Sequence, residues 1–431
     1  MRHALPLESG DPDRFPPSTD SSARRARHFR LILPFPQRVM TEPSPLSDVT
    51  PFDYEPRTRV VFGPGTLSRL GDLSREIGGQ RALLVTDAGL RKAGHQERAA
   101  ALLRAADFDV AIYDEVHPNP TTDDIDRGTA FAQRTRPDLL VGLGGGSSMD
   151  AAKGINFLLT NGGKLQDYRG LNKATKPMLP LIAIPTTAGT GSEAQSYAVI
   201  ADSQTHMKMA CGDRKAAARI AILDAELALT MPLTVAAATG IDAISHALES
   251  YVTTARTPIS SLFARRAWKL LFRAFPTALR EPGNVEARGA MLLGAHLAGM
   301  AIENSMLGAT HALVNPISAH FDTVHGVAIG VMLPHVLEYN ALSVDRLYAD
   351  LAQELGAANG TVSPGRRLAE AARRLVAEAG SPGTLAACGV TPETFAAMAR
   401  EAAEQWTARF NPRPVDAAAL ESLYAAALGA A

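Results

Sequence analysis

The stretch that decides the fold is "DLLVGLGGGSSMDAAKG", residues 138–154. An apolar run is followed by three glycines, two serines and a segment of helix-forming residues. This order predicts a buried strand, a tight turn and a helix capped by Ser147 and Ser148, because glycine allows close approach and positive φ and serine caps helices. The free N–H groups and positive dipole end at such a turn suit a pyrophosphate.

This turn matches neither of two common phosphate-binding motifs. Ser147 stands where the pattern G-x-G-x-x-G has its third glycine, and Lys153 lacks the G-K-[ST] context of a P-loop. A glycine-rich turn alone is as consistent with a structural role as with phosphate binding. Other positions in the chain therefore have to distinguish a structural role of this turn from phosphate binding.

Working outward, short apolar runs alternate with helical spacing throughout the first half of the chain. The runs lie at residues 59–63, 81–87, 109–114, 137–144 and 180–185. This alternation predicts a parallel sheet covered on both faces. From residue 232 the pattern follows a 3.6-residue period, which indicates helices. We therefore predict an α/β plus all-α protein, with a Rossmann-like nucleotide domain at 49–231 and a helical domain at 232–431.

Composition narrows the class of protein. The chain has 431 residues, 46% hydrophobic and 20% charged, with net charge −1, so nothing favours binding to nucleic acid or an anionic membrane. No uninterrupted apolar run approaches the roughly 20 residues that span a bilayer. The two cysteines form no disulfide framework or zinc motif, which favours a reducing compartment and a cytoplasmic location. Residues 1–48 are rich in Pro, Ser, Arg and Asp and predict a disordered tail, with Met40 as an alternative start.

Two further strand ends carry groups that suit a dinucleotide. "IPTTAGTGSE" (184–193) places the hydroxyls of Thr186, Thr187 and Thr190 after an apolar run, and Asp87 ends "RALLVTD". Ligands bind beyond the carboxyl ends of strands in open parallel sheets. A carboxylate at position 87 can accept from ribose hydroxyls and would repel a 2′-phosphate, although it could equally cap a helix. Three such turns favour NAD(H) over NADP(H).

In the second half, "ATGIDAISHALESYV" (237–251) places Asp242 and His246 four positions apart on one apolar helical face. A buried carboxylate without a partner is costly. His311 and His325 could complete a set of one oxygen and three nitrogens if Pro316 and the "FDTVHG" turn end the first helix. Such a set, with open positions for substrate, is typical of a catalytic Fe(II) or Zn(II) site.

Other interpretations of these residues stay open. Asp242 and His246 could form only a buried hydrogen-bonded pair, and Glu249 on the same face could compete as a ligand. Three further histidines are more typical of core or supporting positions: His296, His320 and His335.

Several motifs together make the chain resemble the iron-containing (group III) alcohol dehydrogenases. They are "FGPG" (62–65), "VTD" (85–87), "PNPT" (118–121), "GLGGGSSMDAAK" (142–153), "AIPTTAGTGSE" (183–193), "ATGIDAISHALESYV" (237–251) and "HGVAIGVMLPHVLEYN" (325–340). The resemblance implies an active site between an α/β and a helical domain, and a homodimer or larger homo-oligomer. It implies metal ligation by Asp242, His246, His311 and His325. The cofactor contacts it implies are Asp87, Asn119, Gly145, Gly146, Ser147, Thr186, Thr187 and Lys208.

One position departs from the family pattern. Many members carry a second histidine four residues after the third ligand, where this chain has Asn315. Asparagine cannot shuttle a proton near neutral pH, so a proton relay at this position is in doubt. His320 is the candidate substitute.

We therefore expect a metal-dependent NAD(H)-linked alcohol dehydrogenase that interconverts a small alcohol and an aldehyde or ketone by hydride transfer. The metal, Fe(II) or else Zn(II), would polarise the substrate oxygen. The alternatives are a maleylacetate reductase or glycerol dehydrogenase-like oxidoreductase on the same scaffold, a dehydroquinate-synthase-like lyase, and a non-catalytic NAD- and metal-binding protein.

Overall fold

Nine strands form two sheets in a computed structural model that describes residues 50–205, 207–357 and 361–429. The strands are β1 (Arg59–Phe62), β2 (Arg81–Val85), β3 (Asp109–Tyr113), β4 (Leu139–Gly144), β5 (Gly170–Leu171), β6 (Leu181–Pro185), β7 (Tyr197–Ala201), β8 (Lys208–Gly212) and β9 (Ile220–Leu223). The larger sheet is wholly parallel, in the order β1-β9-β6-β4-β2-β3. The smaller sheet has the order β5-β8-β7, with β7 and β8 antiparallel.

The order of the larger sheet brings the predicted binding turns together. Strand β4 is buried along its whole length and pairs with β2 on one side and β6 on the other. Because all three run in the same direction, their carboxyl ends lie at one edge of the sheet. The turns that follow them carry Asp87, Gly145 and Thr186, so three sequence-distant segments meet at that edge.

The helices divide between the two halves of the chain. They are α1 (Leu70–Ile77), α2 (Ala88–Lys92), α3 (His95–Arg104), α4 (Thr122–Thr135), α5 (Gly146–Asn161), α6 (Leu233–Val252), α7 (Pro258–Arg280), α8 (Val285–Glu303), α9 (Ala309–Phe321), α10 (His325–Ala352), α11 (Pro364–Glu378), α12 (Phe395–Ala403) and α13 (Ala417–Ala427). Successive side chains of each strand point to opposite faces of the larger sheet, and the side chains on each face pack into a separate apolar core. Helices α6 to α13 form a third core, which includes Trp268 and Tyr348.

The break between α9 and α10 allows two distant histidines to approach each other. Helix α9 ends at Phe321, Asp322 takes a left-handed conformation (φ 52°), and α10 begins at His325. The predicted reversal therefore occurs in the "FDTVHG" turn. The contribution expected of Pro316 was wrong, because this residue lies inside α9, where neighbouring helices hold the segment in place and the one missing N–H is tolerated.

The α/β plus all-α fold agrees with the prediction. The stretch His325–Leu355 is the one segment of the described residues that is long and apolar enough to cross a membrane, but 56% of its most apolar window is buried in the protein, as in a core helix. The predicted tail, residues 1–48, lies outside the described residues. The domain division at 231/232 stays a prediction, since both halves belong to one compact unit.

Candidate active site

Four side chains from three helices of the second half converge on one point. Asp242 and His246 lie one turn apart on α6, His311 lies on α9, and His325 is the first residue of α10. The Oδ1 atom of Asp242 lies 3.4 Å from His246 Nε2, 3.5 Å from His311 Nε2 and 3.8 Å from His325 Nε2. We call these four residues the ligand cluster. One carboxylate oxygen thus faces three imidazole nitrogens.

The donor atoms of the ligand cluster fit a divalent metal ion. Asp242 Oδ1 and His311 Nε2 are buried and have no hydrogen-bond partner among the described residues, which is costly unless a ligand satisfies them. One donor atom each of Asp242, His311 and His325 lies within 4.8 Å of the other two. His246 is outside that tighter group but contacts the same carboxylate oxygen. One oxygen and three nitrogens suit Fe(II) or Zn(II).

Glu249 lies behind His311 and orients its imidazole. Its Oε1 atom accepts a hydrogen bond from the Thr310 N–H (2.7 Å), and its Oε2 atom contacts His311 Nδ1 closely. The imidazole is thereby held with Nε2 toward Asp242. A carboxylate behind a ligating histidine is the usual way that proteins fix the ring and its tautomer.

Electrostatics favour the unprotonated state that metal binding requires at Asp242, His246 and His325, and oppose it at His311. Burial opposes ionisation of Asp242, but His246, His311 and His325 together hold the pKa of its carboxyl well below the usual range. Burial lowers the pKa of His246 and His325, with Lys208 adding to the effect at His325. Burial also opposes protonation of His311, but Glu249 and Asp242 raise its pKa to about 9. Most of the cluster is therefore ready for an ion without losing protons.

The remaining histidines of the region lie outside the cluster. His296 is buried and its Nδ1 lies 3.1 Å from Glu193 Oε1. His320 is largely exposed and pairs with Glu401 at 2.9 Å. His335 is half-buried on α10. His320 does not line the cleft that the ligand cluster faces. It therefore does not replace the histidine that the family pattern has at the position of Asn315.

One cleft connects the ligand cluster with residues 144–146, the turn of three glycines between β4 and α5, which we call the glycine turn. All four cluster residues line it, as do Asn119, Gly146, Ser147 and Lys208 from the first half. Its other lining residues are Pro120, Asp150, Thr190, Ser192, Gln195, Tyr197, Val199, Ala201, Ile302, Leu307, Asn315, Trp406 and Thr407. A ligand in this cleft can touch the N-terminus of α5 and the cluster at the same time.

The glycine turn presents bare backbone. Helix α5 begins at Gly146 with Gly145 as its N-cap, and no side chain caps it. The predicted caps by Ser147 and Ser148 were wrong: Ser147 Oγ accepts from the Asn119 N–H (3.3 Å), and Ser148 Oγ donates to Asp87 (3.2 Å). The serines thus fasten neighbouring turns to the helix, and its first N–H groups stay available for an anionic ligand.

Substitution of the glycines would close this surface. Gly144 has φ 147°, and a Cβ there would overlap Ser148. A Cβ at Gly146 would lie 2.6 Å from Thr190, and one at Gly145 would lie 3.3 Å from Thr187. The close packing of the two turns therefore depends on hydrogen in place of a side chain.

The other predicted cofactor residues surround this turn with different roles. Asp87 caps α2, because its Oδ1 accepts from the N–H groups of Gly89 (2.8 Å) and Leu90 (3.1 Å). Its Oδ2 atom faces Ser148. Thr186 is buried, and its N–H donates to the Gly144 carbonyl (2.9 Å). Asp87, Thr186 and Thr187 do not line the cleft, whereas Asn119 and Lys208 do. Burial lowers the pKa of Lys208, opposed by Asp242 and Asp150.

Sequence reasoning missed a buried lysine that organises one wall of the cleft. Lys153 is fully buried on α5, and its Nζ donates to the carbonyls of Ser192 (2.6 Å) and Tyr197 (2.7 Å) and to Ser192 Oγ (2.8 Å). Ser192 Oγ in turn donates to Asp150 (2.5 Å). The only signal in the sequence is a lysine on the apolar face of the helix after the glycine turn.

Comparison with known proteins agrees with this geometry. The sequence profile described as "Iron-containing alcohol dehydrogenase" matches residues 56–225, and the profile "Fe-containing alcohol dehydrogenase family, C-terminal" matches residues 236–428. The chain belongs to the iron-containing alcohol dehydrogenase family. It is 37% identical to an NAD-dependent methanol dehydrogenase of Bacillus methanolicus over 82% of this chain and 93% of that protein. It is 34% identical to lactaldehyde reductase of Escherichia coli over 84% and 96% of the two chains.

Comparison with solved structures agrees with this family assignment. A crystal structure of 1,3-propanediol oxidoreductase superposes with a TM-score of 0.85 at 34% identity, covering 88% of this chain and 100% of that one. Alcohol dehydrogenase from Oenococcus oeni gives a TM-score of 0.84 at 31% identity, with 88% and 100% covered. The predicted family, fold and class of enzyme are therefore confirmed: the chain is an NAD(H)-linked oxidoreductase of alcohols and aldehydes.

Proposed function

We propose that this enzyme interconverts a small alcohol and its aldehyde or ketone in the cleft between the glycine turn and the ligand cluster, with Fe(II) held by Asp242, His246, His311 and His325. One observation carries the proposal. A buried, unpaired carboxylate oxygen faces three histidine nitrogens at one end of a cleft whose other end is a bare helix N-terminus. Zn(II) suits the same donors, and the family description favours iron.

The chain's own residues have distinct tasks in this reaction. A bound divalent ion would supply Lewis acidity toward the substrate oxygen, and NAD+ would accept the hydride. Glu249 keeps His311 aimed at Asp242, and the first N–H groups of α5 would hold the pyrophosphate of the cofactor. The apolar side chains of Ile302, Leu307 and Trp406 line the cleft and exclude water. Asn315 cannot take up or release a proton near neutral pH, so the family's relay does not operate at that position.

Removal of the metal tests the proposal directly. Dialysis of anaerobically purified enzyme against a chelator should abolish NADH formation from short alcohols, and Fe(II) should restore it. Metal content measured beside each assay provides the control. Most of the activity persisting at a metal content near zero would refute the metal mechanism.

Replacing Asp87 with serine should relax the preference for NAD+ over NADP+. Serine keeps the helix cap that the structure assigns to position 87 but removes the negative charge that would repel a 2′-phosphate. We expect the ratio of kcat/KM with NADP+ to that with NAD+ to rise at least about tenfold, which corresponds to about 1.4 kcal/mol. The melting temperature shows whether the cap is preserved. An unchanged ratio in a folded variant would remove Asp87 from the cofactor site.

The related reactions are separated by the same assays. Maleylacetate reductase and glycerol dehydrogenase-like activities would appear as NADH-linked turnover of an unsaturated keto acid or of glycerol. A dehydroquinate-synthase-like lyase would give no net NADH. We also propose a homo-oligomer, to be measured by light scattering, and a cytoplasmic location, to be tested by cell fractionation.

A further inference from the structure

The helix that carries His311 begins without a cap of its own. Helix α9 starts at Ala309, and its N-cap residue is Gly308, which has no side chain to offer. The first N–H groups of a helix have no partner within the helix, and burying them without an acceptor is costly. Ala309 and Thr310 are both fully buried. Their N–H groups therefore need acceptors from other parts of the protein.

Two side-chain oxygens from distant parts of the chain supply these acceptors. The N–H of Thr310 donates to Glu249 Oε1 (2.7 Å), and the N–H of Ala309 donates to Asn411 Oδ1 (3.1 Å). Both oxygens lie close to Gly308, because a Cβ there would be 2.9 Å from Asn411 Oδ1 and 3.1 Å from Glu249 Oε1. His311 follows in the same turn of α9. The two oxygens therefore hold the backbone that bears this ligand.

Asn411 is itself fixed by hydrogen bonds to other helices. It is 3% exposed, and its amide and that of Asn340 on α10 donate to each other's oxygen (2.7 and 3.0 Å). Its Nδ2 also donates to the Arg413 carbonyl (2.7 Å). The preceding carbonyl, of Phe410, accepts from the hydroxyl of Thr253, the C-cap of α6 (3.1 Å). Residues 410–413 thus contact all three helices that carry the ligand cluster.

The contact with α9 is the one nearest to a ligand. Ala309 precedes His311 by two residues, about 3 Å along the helix axis, whereas Asn340 follows His325 by fifteen residues, about 22 Å. Asn411 does not line the cleft, so it does not touch a substrate or cofactor there. Its effect on the ligand cluster therefore passes through the start of α9.

We propose that Asn411 is a positioning residue of the metal centre: by accepting from the Ala309 N–H, it holds the start of α9 so that His311 Nε2 stays directed at Asp242. Glu249 fixes the ring of the same histidine through Nδ1. The amide of Asn411 is neutral, so it holds the backbone without placing a second negative charge beside Glu249. This inference rests on the proposed function, because it requires that the ligand cluster binds a metal ion.

The metal affinity of Asn411→Leu tests this role. Leucine has nearly the shape of asparagine but cannot accept from the Ala309 N–H, so His311 should lose its fixed position. We expect the dissociation constant of Co(II), measured by competition with a chelator, to rise about tenfold, as for other residues that orient metal ligands. The visible d–d absorption of the Co(II)-loaded enzyme should change as well, because it reports the arrangement of the ligands around the ion.

Asn156→Leu is the matched control. Asn156 is 1% exposed on α5, and its amide bonds both backbone groups of Leu179, donating to the carbonyl (2.8 Å) and accepting from the N–H (3.0 Å). It belongs neither to the cleft nor to the ligand cluster. Its replacement removes the same kind of buried contact, so it should lower the melting temperature as Asn411→Leu does. Its Co(II) affinity and absorption should equal those of wild type.

A pair of serine variants keeps the test decisive if leucine prevents folding. Asn411→Ser keeps a small polar side chain, but its hydroxyl is one bond shorter than the amide and does not reach the Ala309 N–H. We expect the dissociation constant of Co(II) to rise about tenfold in this variant too, and to stay at the wild-type value in Asn156→Ser. Circular dichroism shows that both variants are folded at the temperature of the titration.

The outcomes separate this inference from the proposed function. A folded Asn411 variant with the Co(II) affinity and absorption of wild type overturns the positioning role alone, as does an equal loss of affinity in the corresponding Asn156 variant. Failure of the wild-type enzyme to bind Co(II) or Fe(II) overturns the metal site on which the proposed function rests.

Discussion

Replacing His325 with alanine should abolish turnover while NAD(H) still binds. His325 begins α10, and its Nε2 faces Asp242 in the ligand cluster, whereas the bare N–H groups that suit a pyrophosphate belong to α5. Loss of one ligand removes the Lewis acid from the substrate end, which is worth several kcal/mol. We expect kcat/KM to fall about a thousandfold or more, with metal content reduced in elemental analysis.

The matched control for this variant is His320→Ala. His320 lies five residues away but pairs with Glu401 at the surface, so its replacement should leave both metal content and kcat/KM close to wild type. Quenching of intrinsic fluorescence by NADH reports cofactor binding in both variants. A His325→Ala enzyme with normal metal and normal turnover would show that the cluster is not the catalytic metal site.

Replacing Gly326 with alanine should displace a ligand without removing one. A Cβ at position 326 would lie 2.5 Å from the carbonyl carbon of Ala238 and closer still to its oxygen. Ala238 precedes Asp242 by one turn of α6, so the new methyl group would push α10 and His325 away from the carboxylate. Overpacking typically costs about 1–3 kcal/mol, and backbone cannot rotate aside as a side chain can. We expect a lower melting temperature and metal affinity reduced at least about tenfold.

Gly330→Ala is the comparison for that experiment. It lies one turn further along α10, and its added methyl group would meet a side-chain methyl of Val376 at 3.0 Å, which can shift. Its effect on metal affinity, measured by competition with a chelator, should be small. Equal metal affinity in Gly326→Ala and Gly330→Ala would show that the close contact between α6 and α10 does not position His325.

Five of the six strands of the larger sheet were predicted from sequence because they are short apolar runs, whereas β9 (Ile220–Leu223) was not among the predicted runs. Strand β4 was predicted at 137–144 and occurs at Leu139–Gly144, and the helical period predicted from residue 232 corresponds to helices α6 to α13. The smaller sheet was not predicted. Its strands are short, and "KMACG" is not a continuous apolar run, so only pairing across the fold reveals it.

The candidate site was predictable where its residues share a local period or a motif. Asp242 and His246 were found from their spacing, and the structure brings them to His311 and His325. The position of Glu249 behind His311 depends on how α6 crosses α9, which spacing does not specify.

The origin of the ligand cluster on three separate helices has a consequence for the life of the protein. An ion held by α6, α9 and α10, as proposed, would tie together residues as far apart in sequence as Asp242 and His325, as a reversible cross-link would. Only the native arrangement brings all the donor atoms together. By mass action, a bound ion would therefore stabilise the folded state in addition to its part in the reaction. Cells starved of iron should therefore contain less of this enzyme, because its metal-free form unfolds more often and is then cleaved by proteases.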